Sequence, residues 1–256
     1  AVCEYIAGTE EMFVERMNSK AAELGMSDTH YDNCVGFDSN THYTSAYDTA
    51  LLSAAVSEYD CYNEFFNTRL DYVREGERQT QLLNTNKLMQ RYDGIIGGKT
   101  GTTDNAGCCL AVWAKRGNMK LCAVALGCTE SEQRFTACEN LLDYGFSGFE
   151  LYRITVGDDV LQPVSVTEGL LKEVDVRVKR LSTIVIPKGS SKKIEYTHTA
   201  AESLSAPVQY GEKVGEMRAS LDGEEIFYSD IVTTSEVGEL NFFSSLCIVL
   251  ASLFRM

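Results

Sequence analysis

Apolar residues recur at helical spacing from the start of the chain. Val2 and Ile6 stand four apart, and Phe13, Met17, Ala21 and Leu24 continue the stripe, the repeat of an amphipathic helix. Gly8 interrupts it. Thr9 is placed to cap the restart, Glu10 and Glu11 stand where the helix dipole favours anions, and Gly25 ends the run. A polar loop with Asn33, Gly36, Asp38, Ser39 and Asn40 follows. Ser45-Ala46-Tyr47-Asp48 reads as a capping box ahead of Leu51, Leu52, Ala55, Val56 and Tyr59, a second amphipathic helix. Residues 94–99, 108–116 and 119–127 read as strands, the last two joined by Arg116-Gly117-Asn118. A third helix is expected from about Ser131 to Tyr144, with Phe135, Cys138, Leu141 and Leu142 on one side.

The texture changes after Gly148. Short β-like runs appear at 151–156, 174–178, 183–186, 193–197, 213–221 and 225–233, and Asp222-Gly223 between the last two is a strong hairpin signal. The expected class is α+β: a mixed part over residues 1–148 and a small all-β domain over 149–240. The tail, 241–256, is apolar but shorter than the roughly 20 residues a bilayer span needs. Ser244, Ser245 and Ser252 gather on one side of a helix, leaving Phe242, Phe243, Leu246, Val249, Leu250, Leu253 and Phe254 for lipid. A terminal helix docked on the β domain is the alternative.

Length and composition (256 residues, 44% hydrophobic, 23% charged) fit a folded chain of one or two domains. The net charge of −14 argues against a nucleic-acid partner, because phosphate binding needs a basic footprint. The chain begins with Ala1 and shows no signal-peptide segment, so either a leader has been removed or this is a piece of a longer protein. Nine cysteines are scattered, with no C-x-x-C pair and only His30, His42 and His198 as companions. That spacing argues against a metal site and fits buried thiols better than a disulfide framework.

The candidate chemistry centres on Lys99-Thr100-Gly101-Thr102, after Gly97-Gly98 and before Asp104-Asn105-Ala106-Gly107. A cation, a hydroxyl and a residue without a side chain in succession suit a ligand that ends in a carboxylate. A phosphate loop is excluded by spacing. G-x-x-x-x-G-K-[ST] needs its first glycine at 93, which is Asp93, and no helix follows to receive phosphate.

Residues 95–107, with Asn84-Thr85-Asn86-Lys87-Leu88 upstream, resemble the Lys-Thr-Gly region of penicillin-binding proteins, and among them the serine-type D-alanyl-D-alanine carboxypeptidases. The likeness spans the chain. Phe13–Thr29 resembles the family's helix after its second motif, and His42–Asp48 the start of the next helix. Thr129–Phe146 resembles its closing helix, 149–238 its C-terminal β domain, and Asn241-Phe242-Phe243 the opening of its membrane-anchoring helix. The resemblance implies that residues 1–148 are the C-terminal part of a penicillin-binding/β-lactamase-like transpeptidase domain. It also implies no cofactor, a peptidoglycan stem peptide as substrate, β-lactams as inhibitors of the complete enzyme, and an exported protein held at the membrane.

By the same resemblance Lys99 is catalytic as well as substrate-binding. Lys99 and Thr100 hold the terminal D-alanine carboxylate, Gly101 lets the strand approach the scissile amide, and the Thr102 N–H is an oxyanion donor. Thr102 departs from members with histidine there. The family's Ser-x-x-Lys and Ser-x-Asn motifs would fall before residue 1. Two look-alikes are set aside: Ser190-Ser191-Lys192-Lys193 sits in a loop of the β domain, and Tyr31-Asp32-Asn33 follows the helix it should precede. A non-catalytic wall-binding or scaffold protein that keeps only the carboxylate clamp is the alternative function.

Overall fold

The computed structural model describes residues 1–74, 76–157 and 161–242. Its described residues form two compact units that divide between Gly148 and Phe149. Most of the tail expected to be a helix lies outside the described residues. Among the described residues no helix is long and apolar enough to cross a membrane.

The first unit opens with α1 (Val2–Ala7) and α2 (Glu10–Glu23). Gly8 separates them at φ 92°, the left-handed region where glycine carries no penalty. Thr9 caps α2 by accepting the Met12 N–H at 3.2 Å. Helix α3 (Ala46–Val56) starts at Ser45, whose hydroxyl accepts the Asp48 N–H at 3.1 Å. The other half of the expected capping box is absent. Asp48 is fully buried, and its carboxylate accepts from the Asp28 N–H at 2.8 Å and the Thr29 hydroxyl at 2.7 Å. A long-range partner has displaced the local one.

Next come α4 (Asp60–Phe66), the hairpin of β1 (Leu70–Val73) and β2 (Thr80–Leu83), and α5 (Leu88–Arg91). None of these was foreseen. Both hairpin strands are exposed throughout, so no alternation of apolar and polar residues marks them. Strands β3 (Ile95–Thr103), β4 (Gly107–Arg116) and β5 (Met119–Cys128) form an antiparallel sheet in that order. Helix α6 (Ser131–Gly148) covers one face. There Leu110, Val112, Ala114, Ala123 and Ala125 pack against Phe135, Cys138 and Leu142. Full burial of a side chain such as Phe135 contributes about 2–3 kcal/mol. Leu141, expected on the same side, is instead exposed on the outer face of α6.

The described residues of the second unit form strands, with one 3-10 turn at Ser191–Lys193: β6 (Phe149–Arg153), β7 (Val164–Thr167), β8 (Glu173–Val174), β9 (Val176–Val178), β10 (Thr183–Pro187), β11 (Ile194–Ala200), β12 (Ser203–Ser205), β13 (Lys213–Leu221) and β14 (Glu224–Thr233). Its largest sheet has the order β11-β13-β14-β9. Asp222 and Gly223 both have positive φ, at 50° and 89°. That is the two-residue turn whose twist matches paired antiparallel strands. The core gathers Ile154, Val214, Met217, Ala219, Phe227 and Ile231.

Candidate active site

Strand β3 runs four residues further than its pattern predicts, so Lys99, Thr100, Gly101 and Thr102 all lie within it. They pair with Ala111, Leu110, Cys109 and Cys108 of β4. Strand β3 is an edge of its sheet among the described residues, so one side of its backbone faces no strand.

The two glycines before Lys99 let neighbours approach the strand. A Cβ on Gly97 would come within 2.5 Å of the Trp113 ring directly opposite. The indole is held by its own N–H, which donates to Asn63 Oδ1 at 3.0 Å. A Cβ on Gly98 would meet the Asn86 amide nitrogen at 2.8 Å and the Ala111 carbonyl at 3.0 Å. Steric room, not unusual φ, is what both positions require.

Side chains alternate faces from Lys99 onward. The Lys99 ammonium is exposed and donates to the Thr100 carbonyl. The Thr100 hydroxyl stands 2.6 Å from the Thr85 hydroxyl. Thr102 Oγ1 points to the α6 face, 4.0 Å from Cys108 Sγ.

Arg134 of α6 meets the strand there, a residue that sequence reasoning missed. It is buried, and its Nη1 donates to the Gly101 carbonyl at 3.0 Å, Thr102 Oγ1 at 3.1 Å and the Cys109 carbonyl at 3.3 Å. Nη2 donates to Ser131 Oγ at 3.1 Å, and the guanidinium stacks 4.9 Å from the Phe135 ring centre. These partners are neutral, so the full positive charge of Arg134 stands beside Gly101 and Thr102. The one available signal was a lone arginine next to the most buried aromatic of a helix.

A cavity of about 490 Å³ opens beside this end of β3. Gly101, Thr102, Thr103 and Cys109 line one wall, and Phe37, Asp38, His42 and Tyr43 of the loop before α3 line another. Lys99 and Thr100 are outside its lining. Asp38 ties the walls together by accepting the Thr103 hydroxyl at 2.6 Å and the Asn105 N–H at 3.2 Å.

Asp32 organises the same loop. It accepts hydrogen bonds from the hydroxyls of Ser39 and Thr41, from His42 Nδ1 and from the Asn33 amide. Those donors, Ser39 first, hold its carboxyl well below the usual carboxylate range. Asn33 Oδ1 accepts the N–H groups of Val35, Gly36 and Phe37, so Tyr31-Asp32-Asn33 is a loop-building unit. Ser190-Ser191-Lys192-Lys193 is likewise a turn. Ser190 Oγ donates to the Pro187 carbonyl at 2.6 Å, and Lys193 pairs with Asp222 at 3.4 Å.

The cysteines differ from expectation. Among the described ones only Cys138 is buried, where burial pushes its thiol up to about 12. The described residues contain no group of three or more His, Cys, Asp or Glu that could hold a metal ion.

Residues 1–130 match the family model for D-alanyl-D-alanine carboxypeptidase, and 149–239 match that for the penicillin-binding protein 5 C-terminal domain. The chain is 32% identical over 248 residues to the D-alanyl-D-alanine carboxypeptidase DacF of Bacillus subtilis, covering 96% of this chain and 64% of that one. It is 32% identical over 257 aligned positions to DacA of Escherichia coli, covering 96% and 61%. The chain therefore spans under two thirds of the length of these curated relatives. Among solved structures, penicillin binding protein 5 from Haemophilus influenzae superposes with a TM-score of 0.78 at 26% identity, covering 93% of this chain and 69% of that one. Penicillin binding protein 6B from Escherichia coli gives 0.68 at 25%, covering 91% and 63%. With the first 130 of its 256 residues matched by that family's model, the chain belongs to the D-alanyl-D-alanine carboxypeptidase family.

Proposed function

We propose that this chain is part of a serine-type D-alanyl-D-alanine carboxypeptidase that removes the terminal D-alanine from peptidoglycan stem peptides. The observation that carries the reading is Lys99-Thr100-Gly101-Thr102 on an exposed edge strand of a chain from this family.

In this reading the Lys99 ammonium and the Thr100 hydroxyl receive the carboxylate of the last D-alanine. The Arg134 charge adds to the anion-attracting field behind them. Gly101 leaves the strand open to the scissile amide, and the Thr102 N–H stabilises the oxyanion of the tetrahedral intermediate. A serine attacks the D-Ala-D-Ala carbonyl, D-alanine leaves, and water hydrolyses the ester. The serine and its lysine are taken from segments outside these 256 residues. β-Lactams enter the same cleft as substrate mimics, and no cofactor takes part.

Residues 1–148 then form the C-terminal part of the catalytic domain, 149–240 an accessory β domain and 241–256 a membrane-anchoring helix on an exported protein. The full-length protein should release D-alanine from a D-Ala-D-Ala-terminated pentapeptide and take up one equivalent of benzylpenicillin by intact mass. Neither product nor adduct would leave the wall-binding alternative. Deleting 241–256 should release the full-length protein from membranes, and continued sedimentation with them would refute the anchor.

A further inference from the structure

The tripeptide Asn84-Thr85-Asn86 holds one hydroxyl against the strand that carries the clamp. Asn84 donates through Nδ2 to the Thr68 carbonyl at 3.0 Å, and its own N–H donates to the Arg69 carbonyl at 2.9 Å. Its Oδ1 accepts the Asn86 N–H at 2.9 Å. Asn86 is buried, accepts the Leu88 N–H at 3.2 Å at the start of α5, and lays its amide against Gly98. The residue between these anchors is exposed. Its Oγ1 lies 2.6 Å from Thr100 Oγ1, a distance that requires one proton between the two oxygens.

Two arrangements of that proton exist. If Thr100 donates to Thr85, Thr100 offers only lone pairs to the cleft and repels an anion. If Thr85 donates to Thr100, the Thr100 proton is free, and the incoming bond makes it a stronger donor. We propose that Thr85 is a positioning residue for the clamp: its hydroxyl donates to Thr100 and so turns the Thr100 proton towards the terminal carboxylate of the bound peptide. This rests on the carboxypeptidase reading above. It assigns a role to the Asn-Thr-Asn segment, whose two asparagines fix the backbone so that the threonine between them reaches β3.

The test compares the full-length protein with its Thr85→Val, Thr85→Ala and Thr85→Ser variants on a diacetylated L-lysyl-D-alanyl-D-alanine tripeptide. Val keeps the shape and removes the donor. Losing one hydrogen bond of the ground and transition states alike should raise KM by about 3- to 10-fold in the Val and Ala variants, with kcat within about twofold. Thr85→Ser should restore KM, and thermal midpoints should agree within about 2 °C, as for an exposed position. Unchanged KM in both Val and Ala variants overturns the proposal while the function stands. So does a Ser variant as impaired as Val, or a loss confined to kcat. A wild-type protein that releases no D-alanine overturns this proposal and the proposed function together.

Discussion

The Arg134 guanidinium donates to the Gly101 carbonyl at 3.0 Å, so a helix residue braces the strand residue at the centre of the candidate site. The same nitrogen holds Thr102 Oγ1 and the Cys109 carbonyl, which fixes β3 against β4 and α6 at once. Arg134→Ala would remove the guanidinium hydrogen bonds that tie Gly101 and Thr102 of β3 and Cys109 of β4 to α6, and should cost about 1–3 kcal/mol in urea unfolding. Benzylpenicillin acylation of the full-length protein should fall by about 10-fold or more, because the clamp strand loses both its brace and the nearby charge. Arg134→Lys keeps the charge but not the fork and should recover only part of each. Wild-type stability in the Ala variant would refute the brace.

Lys99 is exposed, so its removal should separate binding from folding. In the full-length protein Lys99→Ala should slow acylation and D-alanine release by about 10-fold or more, the loss of one charge-assisted hydrogen bond. Its thermal midpoint should stay near that of the wild type. Unchanged kinetics would remove Lys99 from the clamp.

Gly97→Ala tests the steric origin of the glycine pair. The new methyl would meet the Trp113 ring at 2.5 Å, and the ring is pinned by Asn63. Overpacking of this kind should cost about 1–3 kcal/mol by chemical denaturation. Replacing Trp113 by Leu in the same protein should recover much of that loss, and additive penalties would speak against a direct clash.

Asp32 makes the loop before α3 sensitive to strong acid. Its folded pKa is depressed by the Ser39, Thr41, His42 and Asn33 donors, so its stabilisation is present above the unfolded value near 4 and is lost as pH falls towards the folded one. Asp32→Asn should therefore lower the melting temperature at pH 7, and the gap to the wild type should narrow below about pH 4. Melting curves with a constant gap from pH 7 to pH 3 would disprove the linkage.

The 256 residues by themselves should form no covalent adduct with benzylpenicillin. The sequence's one Ser-x-x-Lys pattern, Ser190 to Lys193, is a single 3-10 turn of the second unit with Lys193 paired to Asp222. Intact mass after incubation decides it, and an adduct would reveal a nucleophile elsewhere in the chain.

Local signals were legible where local interactions decide the outcome. Thr9 and Ser45 cap helices as expected, and Asp222-Gly223 turns a hairpin, because these geometries are set within three or four residues. The Lys-Thr-Gly stretch was legible because its residue types and order are themselves the signal. The β1–β2 hairpin was not, since two exposed strands bury no face and so leave no periodicity.

What only the tertiary structure decided are the contacts between distant segments. Asp48 left its capping role for Asp28 and Thr29, β3 was prolonged to Thr103 by pairing with β4, and Arg134 came to rest beneath Gly101. The sequence alone determined the Lys99–Thr102 stretch proposed as a carboxylate clamp and the family the chain resembles. That its carbonyl is braced by α6 and its hydroxyl faces Thr85 depends on folding, because partners 33 and 15 residues apart meet only once the sheet and helices are assembled.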